Sequence, residues 1–376
     1  MKQVLSGLAA VVALATLSAL FACSEDVKDK AASTGDGGAE GGDAFASGVE
    51  LRVNVPASGR VYVKLGGSPA VVTPAADPKT DLGWDIAFEG FEVYTNSGPS
   101  GGGAAAGFGP LDSLVFIEDV APAVPFLSED RTGGAFVRWW FYDGANHALD
   151  SRFHVFGVKD ADKEYKVQIL GYYGDRDGAP VSGLYRVRFA EVTAGGVGPV
   201  SDIAGLDGTA GGPQGGPDSP SECIDLGTKI RTMLTQAQAR TSSAWHLCFR
   251  RQDISVNGDI GGPRNVGAVD LEADKIATET IEQVATLTPE SEQARFDAVS
   301  AQSLAGKSFR GDGIVSAFTT LWTEPGSNPP TPRNSAWLVQ GADGNSKFLI
   351  GFSKFENMTP TSPGTVVMRV KAVSGS

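Results

Sequence analysis

From residue 48 onward the chain alternates apolar and polar positions with a period of two. The clearest runs are VELRVNV at 49–55, GRVYVKL at 59–65, WDIAFEGFEVY at 84–94, AFVRWWFY at 135–142, FHVFGV at 153–158, YKVQIL at 165–170 and LYRVRFAEV at 184–192. Successive side chains of a strand point to opposite faces, so this alternation, rich in Val, Phe, Tyr and Trp, predicts half-buried strands. Gly, Asp and Pro between the runs supply the turns of an antiparallel sheet. Helical periodicity is weak over 48–192, whereas LEADKIATETIEQVATL at 271–287 reads as a helix. The expected fold class is all-β.

The pattern is written twice. WDIAFEGFEVYTNSG at 84–98 runs into a glycine-rich stretch, and WHLCFRRQDISVNG at 245–258 is soon followed by GGPRNVG. Trp84, Phe88 and Asn96 have the spacing of Trp245, Phe249 and Asn257, at an offset of 161. VKDADKEYKVQI at 158–169 matches VQGADGNSKFLI at 339–350 at an offset of 181, which Val192 and Val373 share. Matches in the same order at both ends of a block point to a duplicated unit, the second copy carrying about twenty extra residues within 271–320. The glycine run after Asn96 permits close backbone approach, either to a neighbouring strand or to a flat ligand.

These observations divide the chain into a signal peptide at 1–22, a flexible tether at 23–47, a first β domain at 48–192, a Gly/Pro-rich linker at 193–221, and a second, degenerate β domain with a short helical insertion at 222–376. A chain of 376 residues suits two domains. The formal net charge of −13 disfavours a phosphate backbone as partner, so no nucleic acid is expected.

The N-terminus carries Lys2, the apolar stretch VLSGLAAVVALATLSALF, and then LFAC at 20–23. This resembles a bacterial lipobox. The resemblance implies cleavage before Cys23, a lipid on that residue, and, with Ser24 following, sorting to the outer membrane, at its surface or periplasmic face. A plain transmembrane anchor is the other reading, against which stands the lack of a basic stop-transfer cluster. Cys223 and Cys248 remain, and in an exported protein such a pair tends to form a disulfide. A closed loop of about 25 residues would stabilise by roughly 3 kcal/mol in the chain-entropy model.

The repeated unit resembles the HmuY family of haem-binding bacterial surface lipoproteins. The likeness is carried by WDIAFEGFEVYTNSG with its Gly/Ala run, and by WWFYDGANHALDSRFHVFGVKDADKEYKVQILGYY at 139–173. It covers essentially all of 48–192 and, in eroded form, 222–373, where His246 stands for Asp85 and the N-H-x-L turn and the Tyr-Tyr pair are lost. It implies two tandem HmuY-like antiparallel domains, haem bound non-covalently in the first, transfer to an outer-membrane haem receptor, and no enzymatic activity.

Haem iron takes imidazole ligands. His147 lies in the GANHALD turn after WWFY, where the family pattern matches, and His154 opens the next strand. His147 and, as the weaker assignment, His154 are the expected haem-binding residues. The alternatives are a solvated turn residue and a sheet-face residue. Arg138, Arg152, Arg186 and Arg188 could pair with propionates or simply be solvated. No hydrolase elbow, zinc-protease helix motif or phosphate loop occurs, and Asp160, Asp162, Asp175 and Asp177 lack calcium-loop spacing. The rival reading is a structural or adhesive surface lipoprotein that uses the same scaffold to bind protein or glycan. Such a scaffold does not need His147.

Overall fold

The computed structural model describes residues 44–216 and 218–374. The expected signal peptide, Cys23 and the expected tether up to residue 43 lie outside the described residues. The end of the expected tether is part of the fold, because Phe45 is buried and packs edge-on against Phe116.

The molecule is built from antiparallel sheets, and their composition departs from the sequence blocks. One sheet runs in the order Ala70–Val72, Val61–Lys64, Ile86–Glu89, Glu92–Thr95. It shares a core with a second sheet ordered Val49–Asn54, Thr365–Val373, Lys347–Glu356, Ser335–Gln340, Ala106–Asp112. The remaining two large sheets form the other half of the molecule. They are Arg231–Leu234, Ser221–Ile224, Leu247–Arg250, Asp253–Val256, and Gly196–Val197, Ala179–Thr193, Lys163–Arg176, Val155–Asp160, Gly267–Asp270.

The first half of each repeat therefore pairs with the second half of the other. Val49 lies opposite Val370, and Phe156 lies opposite Asp270. Two units result: an outer one from 44–130 and 313–374, and an inner one from 131–312. The hydrophobic clusters respect this division. One gathers Val53, Ile86 and Phe88 with Trp322, Phe352 and Met368; another gathers Trp139, Tyr165 and Tyr185 with Leu247 and Phe249. The chain crosses between the units in a short ribbon, where Arg131–Gly133 pairs with Gly313–Val315.

The expected boundaries at 48–192 and 222–376 are corrected accordingly, since they cut through both units. The expected linker at 193–221 is corrected too. Its residues Ser201–Asp207 form a strand on Ala179–Thr193, the counterpart of Val49–Asn54 on Thr365–Val373. Gly and Pro misled here because only Leu206 and, in part, Ile203 of this strand reach the core, while its backbone pairs with Ala179–Thr193. The expected helix at 271–287 is only a 3-10 turn at Ala273–Lys275 and one helical turn at Ile281–Val284. Thr280 interrupts it: its backbone is extended and its hydroxyl accepts the Gln283 N–H, a cap that starts a new helix rather than continuing one.

Local geometry repeats between the units. Asn96 Nδ2 donates to the carbonyls of Asp81 and Trp84, and Asn257 Nδ2 donates to those of Ser242 and Trp245. Asn96 Oδ1 accepts from Gly103 N, and Asn257 Oδ1 from Arg264 N. A Cβ at Gly101 or at Gly262 would lie about 2 Å from the respective Asn Oδ1. The glycine run of the sequence thus folds around a buried asparagine, and close packing accounts for it.

One buried site tells the units apart. In the outer unit Asp85 accepts from Leu65 N, Ala342 N and Lys64 Nζ. In the inner unit His246 takes the place of Asp85, and its Nδ1 accepts from Leu226 N. Asp225 replaces Lys64, Asp160 replaces Gly341, and Arg264 bridges Asp160 and Asp225 at 2.9 and 2.6 Å. Each half thus meets a partner of matching charge.

Candidate functional site

Trp140–Asp143 and Ala148–Ser151 form a hairpin whose tip carries His147. The loop is GANH, and His147 is exposed with a left-handed backbone, φ 58°. A non-glycine residue in that region carries strain and is worth a functional explanation. The Tyr142 hydroxyl lies 2.6 Å from His147 Nδ1. That contact fixes the ring and leaves Nε2 directed away from the tyrosine, the arrangement by which a neighbouring group orients a metal-ligating histidine. Tyr173, 47% exposed, accepts the Leu149 N–H at its hydroxyl and adds a second ring beside the hairpin.

His154 sits in a different environment. Its side chain is fully buried, with Nδ1 2.9 Å from Asp270 Oδ2 and Nε2 2.9 Å from Glu279 Oε1. Arg152 also binds Glu279, at 2.6 Å, and stacks on the Phe141 ring. Burial opposes a charge on His154, but Asp270 and Glu279 outweigh it and hold its pKa above the ordinary value. Glu279 is held low by His154 and Arg152 in spite of its own burial. Both nitrogens of His154 are engaged, so its expected role as a haem ligand is corrected to that of a clamp. It ties Val155–Asp160 to the segment after Asp270. The clamp is non-local, 116 and 125 residues away in sequence, which hid it from a linear reading.

Because the folded pKa is raised, the clamp stabilises fully below the unfolded value near 6.5, and that contribution is lost as pH rises through the folded value. His154→Ala is expected to cost about 3 kcal/mol at pH 6, since it leaves two buried carboxylates with one partner fewer. The loss should shrink at pH 9. Urea denaturation at the two pH values measures it, and an equal loss at both would remove the charge from the explanation.

The other candidates are placed as follows. Arg186 pairs with Asp202, and Arg188 is buried against Gln168 and the Pro289 carbonyl, so neither faces the hairpin. Asp160 is taken up by Arg264. Cys223 and Cys248 stand opposite each other on neighbouring strands and are joined as a disulfide. Among the described residues no group of three His, Cys, Asp or Glu could hold a metal ion.

Two clefts with apolar walls lie near the junction of the units. One, about 450 Å³, includes Phe108, Phe126, Trp140 and Leu321. The other, about 250 Å³, includes Leu234, Trp245 and the disulfide. Neither is lined by His147 or His154. A flat ligand on His147 Nε2 would therefore lie against the outside of the hairpin. Tyr142 went unnoticed in the sequence because it read as one more member of an aromatic run. The five-residue spacing to His147 across a hairpin loop is the signal that singles it out. No family model matches this chain, and no curated protein matches it.

Proposed function

We propose that this chain is a non-enzymatic, lipid-anchored surface protein that binds haem through His147. The observation that carries the reading is the Tyr142–His147 pair: one imidazole nitrogen is held, the other is open, and the backbone accepts strain to present the ring. The resemblance of 139–173 to the HmuY pattern supports it. Bound haem would supply iron for capture and delivery to an outer-membrane receptor. The chain's own part is to orient the imidazole and to offer Tyr142 and Tyr173 as neighbours. His154 takes no part in ligation on this reading, and no second protein ligand is assigned.

Hemin titration of the chain from residue 24 onward, followed in the Soret region, tests this. A saturating, sharpened band is expected, lost in His147→Ala and weakened several-fold in Tyr142→Phe. An unchanged titration in His147→Ala would remove the assignment. The engagement of His154 and the position of the two clefts favour one rival, a display scaffold for protein or glycan. Absence of any saturable hemin binding is the result that reading requires.

A further inference from the structure

The two units can be compared position by position at the offset of 161 that relates Trp84 to Trp245. In the outer unit the Arg60 guanidinium stacks on the Tyr94 ring at 4.1 Å. In the inner unit both residues are serines, Ser221 and Ser255. Both serines line the 250 Å³ cleft, so the cavity lies where the inner unit lacks the side chains that the outer unit carries at those positions. Leu234, Trp245 and the Cys223–Cys248 disulfide pack together as its apolar wall, and Arg131, Gln236, Arg240 and Arg250 line it as well. Gly98 and Pro99 of the outer unit close one side, so the site exists only where the units meet.

Its polar groups point to a class of ligand. Ser221 is 6% exposed, and its hydroxyl has no hydrogen-bond partner. A buried hydroxyl left alone is costly, and a ligand acceptor would satisfy it. The cleft's acids are already engaged: Asp130 by Thr95, Ser100 and Ala317, and Asp253 by Arg131. Arg240, exposed at the rim, has no ion pair among the described residues. A small cavity with one apolar wall, an arginine at its rim that has no ion pair among the described residues, and an unsatisfied hydroxyl suits an anion with a compact apolar body.

We propose that the cleft between the units binds a small monocarboxylate with an aromatic or aliphatic body. The site is separate from His147, so haem binding and carboxylate binding succeed or fail independently.

The probe is benzoate, with benzamide as its neutral counterpart, titrated into the chain from residue 24 onward and followed by tryptophan fluorescence. Saturable binding of benzoate is expected, at least tenfold tighter than that of benzamide. Ser255→Tyr restores the ring that Tyr94 supplies in the other unit and should abolish binding. Arg240→Gln, a surface change that leaves the core intact, should weaken it at least threefold and so guards against misfolding of the first variant. Lack of saturation, equal binding of benzamide, or unchanged binding in Arg240→Gln would each overturn the proposal.

Discussion

A fragment spanning 48–192 is expected to remain unfolded, whereas a fragment spanning 131–312 is expected to fold with the sheets it has in the full chain. The first fragment contains one whole sequence repeat but only half of each unit. Val53, Ile86 and Phe88 would lose Trp322, Phe352 and Met368, and Val49–Asn54 would lose its entire partner strand. Each large side chain left exposed forfeits about 1.5–3 kcal/mol, and a handful of them exceeds the 5–15 kcal/mol by which typical domains are stable. The repeat cannot easily close on itself instead. Asp160 would then occupy the place of Gly341, where an added Cβ would lie 3.2 Å from Asp85 Oδ1. Two carboxylates would meet in a buried site, and neither would have the Arg264 that neutralises Asp160 in the native arrangement. The second fragment keeps its cluster of Trp139, Tyr165, Tyr185, Leu247 and Phe249, and its disulfide. It gives up only the short ribbon with 313–315. Far-UV circular dichroism and urea denaturation of both fragments decide the matter. A cooperative transition in 48–192 comparable to that of the whole chain would contradict the exchanged pairing.

Replacing Asp312 by asparagine is expected to stabilise the protein at pH 8 by roughly 4 kcal/mol and to flatten its pH dependence. Asp130 and Asp312 occupy matching places at the crossing between the units. Asp130 accepts from Thr95 N, Thr95 Oγ1, Ser100 Oγ and Ala317 N. Asp312 accepts from Val256 N, but at the offset of 161 the two hydroxyl donors are missing, because Val256 stands for Thr95 and Gly261 for Ser100. Its Oδ1 has no partner. Burial, with the nearby charges of Asp253 and Asp259, outweighs the hydrogen bonds from Val256 N and the Ser255 hydroxyl and pushes its carboxyl up to about 7. The folded state therefore holds a proton that the unfolded chain has released. The contribution is fully present below about 3.9 and is lost as pH rises through about 7. Asparagine has the same shape and no charge, so the loss disappears. Val256→Thr should act in the same direction by returning the hydroxyl that Thr95 provides. Melting temperatures of the wild type and both variants from pH 5 to pH 8 give the test, and parallel curves for Asp312→Asn and the wild type would refute it.

Much of the local structure was legible. The alternation at 165–170 and 184–192 appears as the long hairpin Lys163–Arg176 and Ala179–Thr193, turned by Asp177 and Gly178 with φ of 57° and 81°. That is the turn chemistry such a dipeptide favours. The recurring asparagine and glycine positions were legible as well, because the same buried turn is built around Asn96 and Asn257. Tyr142, whose hydroxyl meets His147, lies only five residues away in the chain.

Alternation along the chain was enough for the all-β class and the strands, both of which rest on contacts between near neighbours. Which half pairs with which emerges only from contacts between distant segments. Both halves of both repeats carry the same apolar alternation, so local pattern fits either pairing. The choice rests on buried groups far apart in the chain: Asp85 against Gly341 and Ala342, and Asp160 against His246 and Arg264. The same distance in sequence concealed the fate of His154. A histidine on a strand face looks alike whether it meets a ligand or a carboxylate, and Asp270 and Glu279 reach it only once the chain has folded.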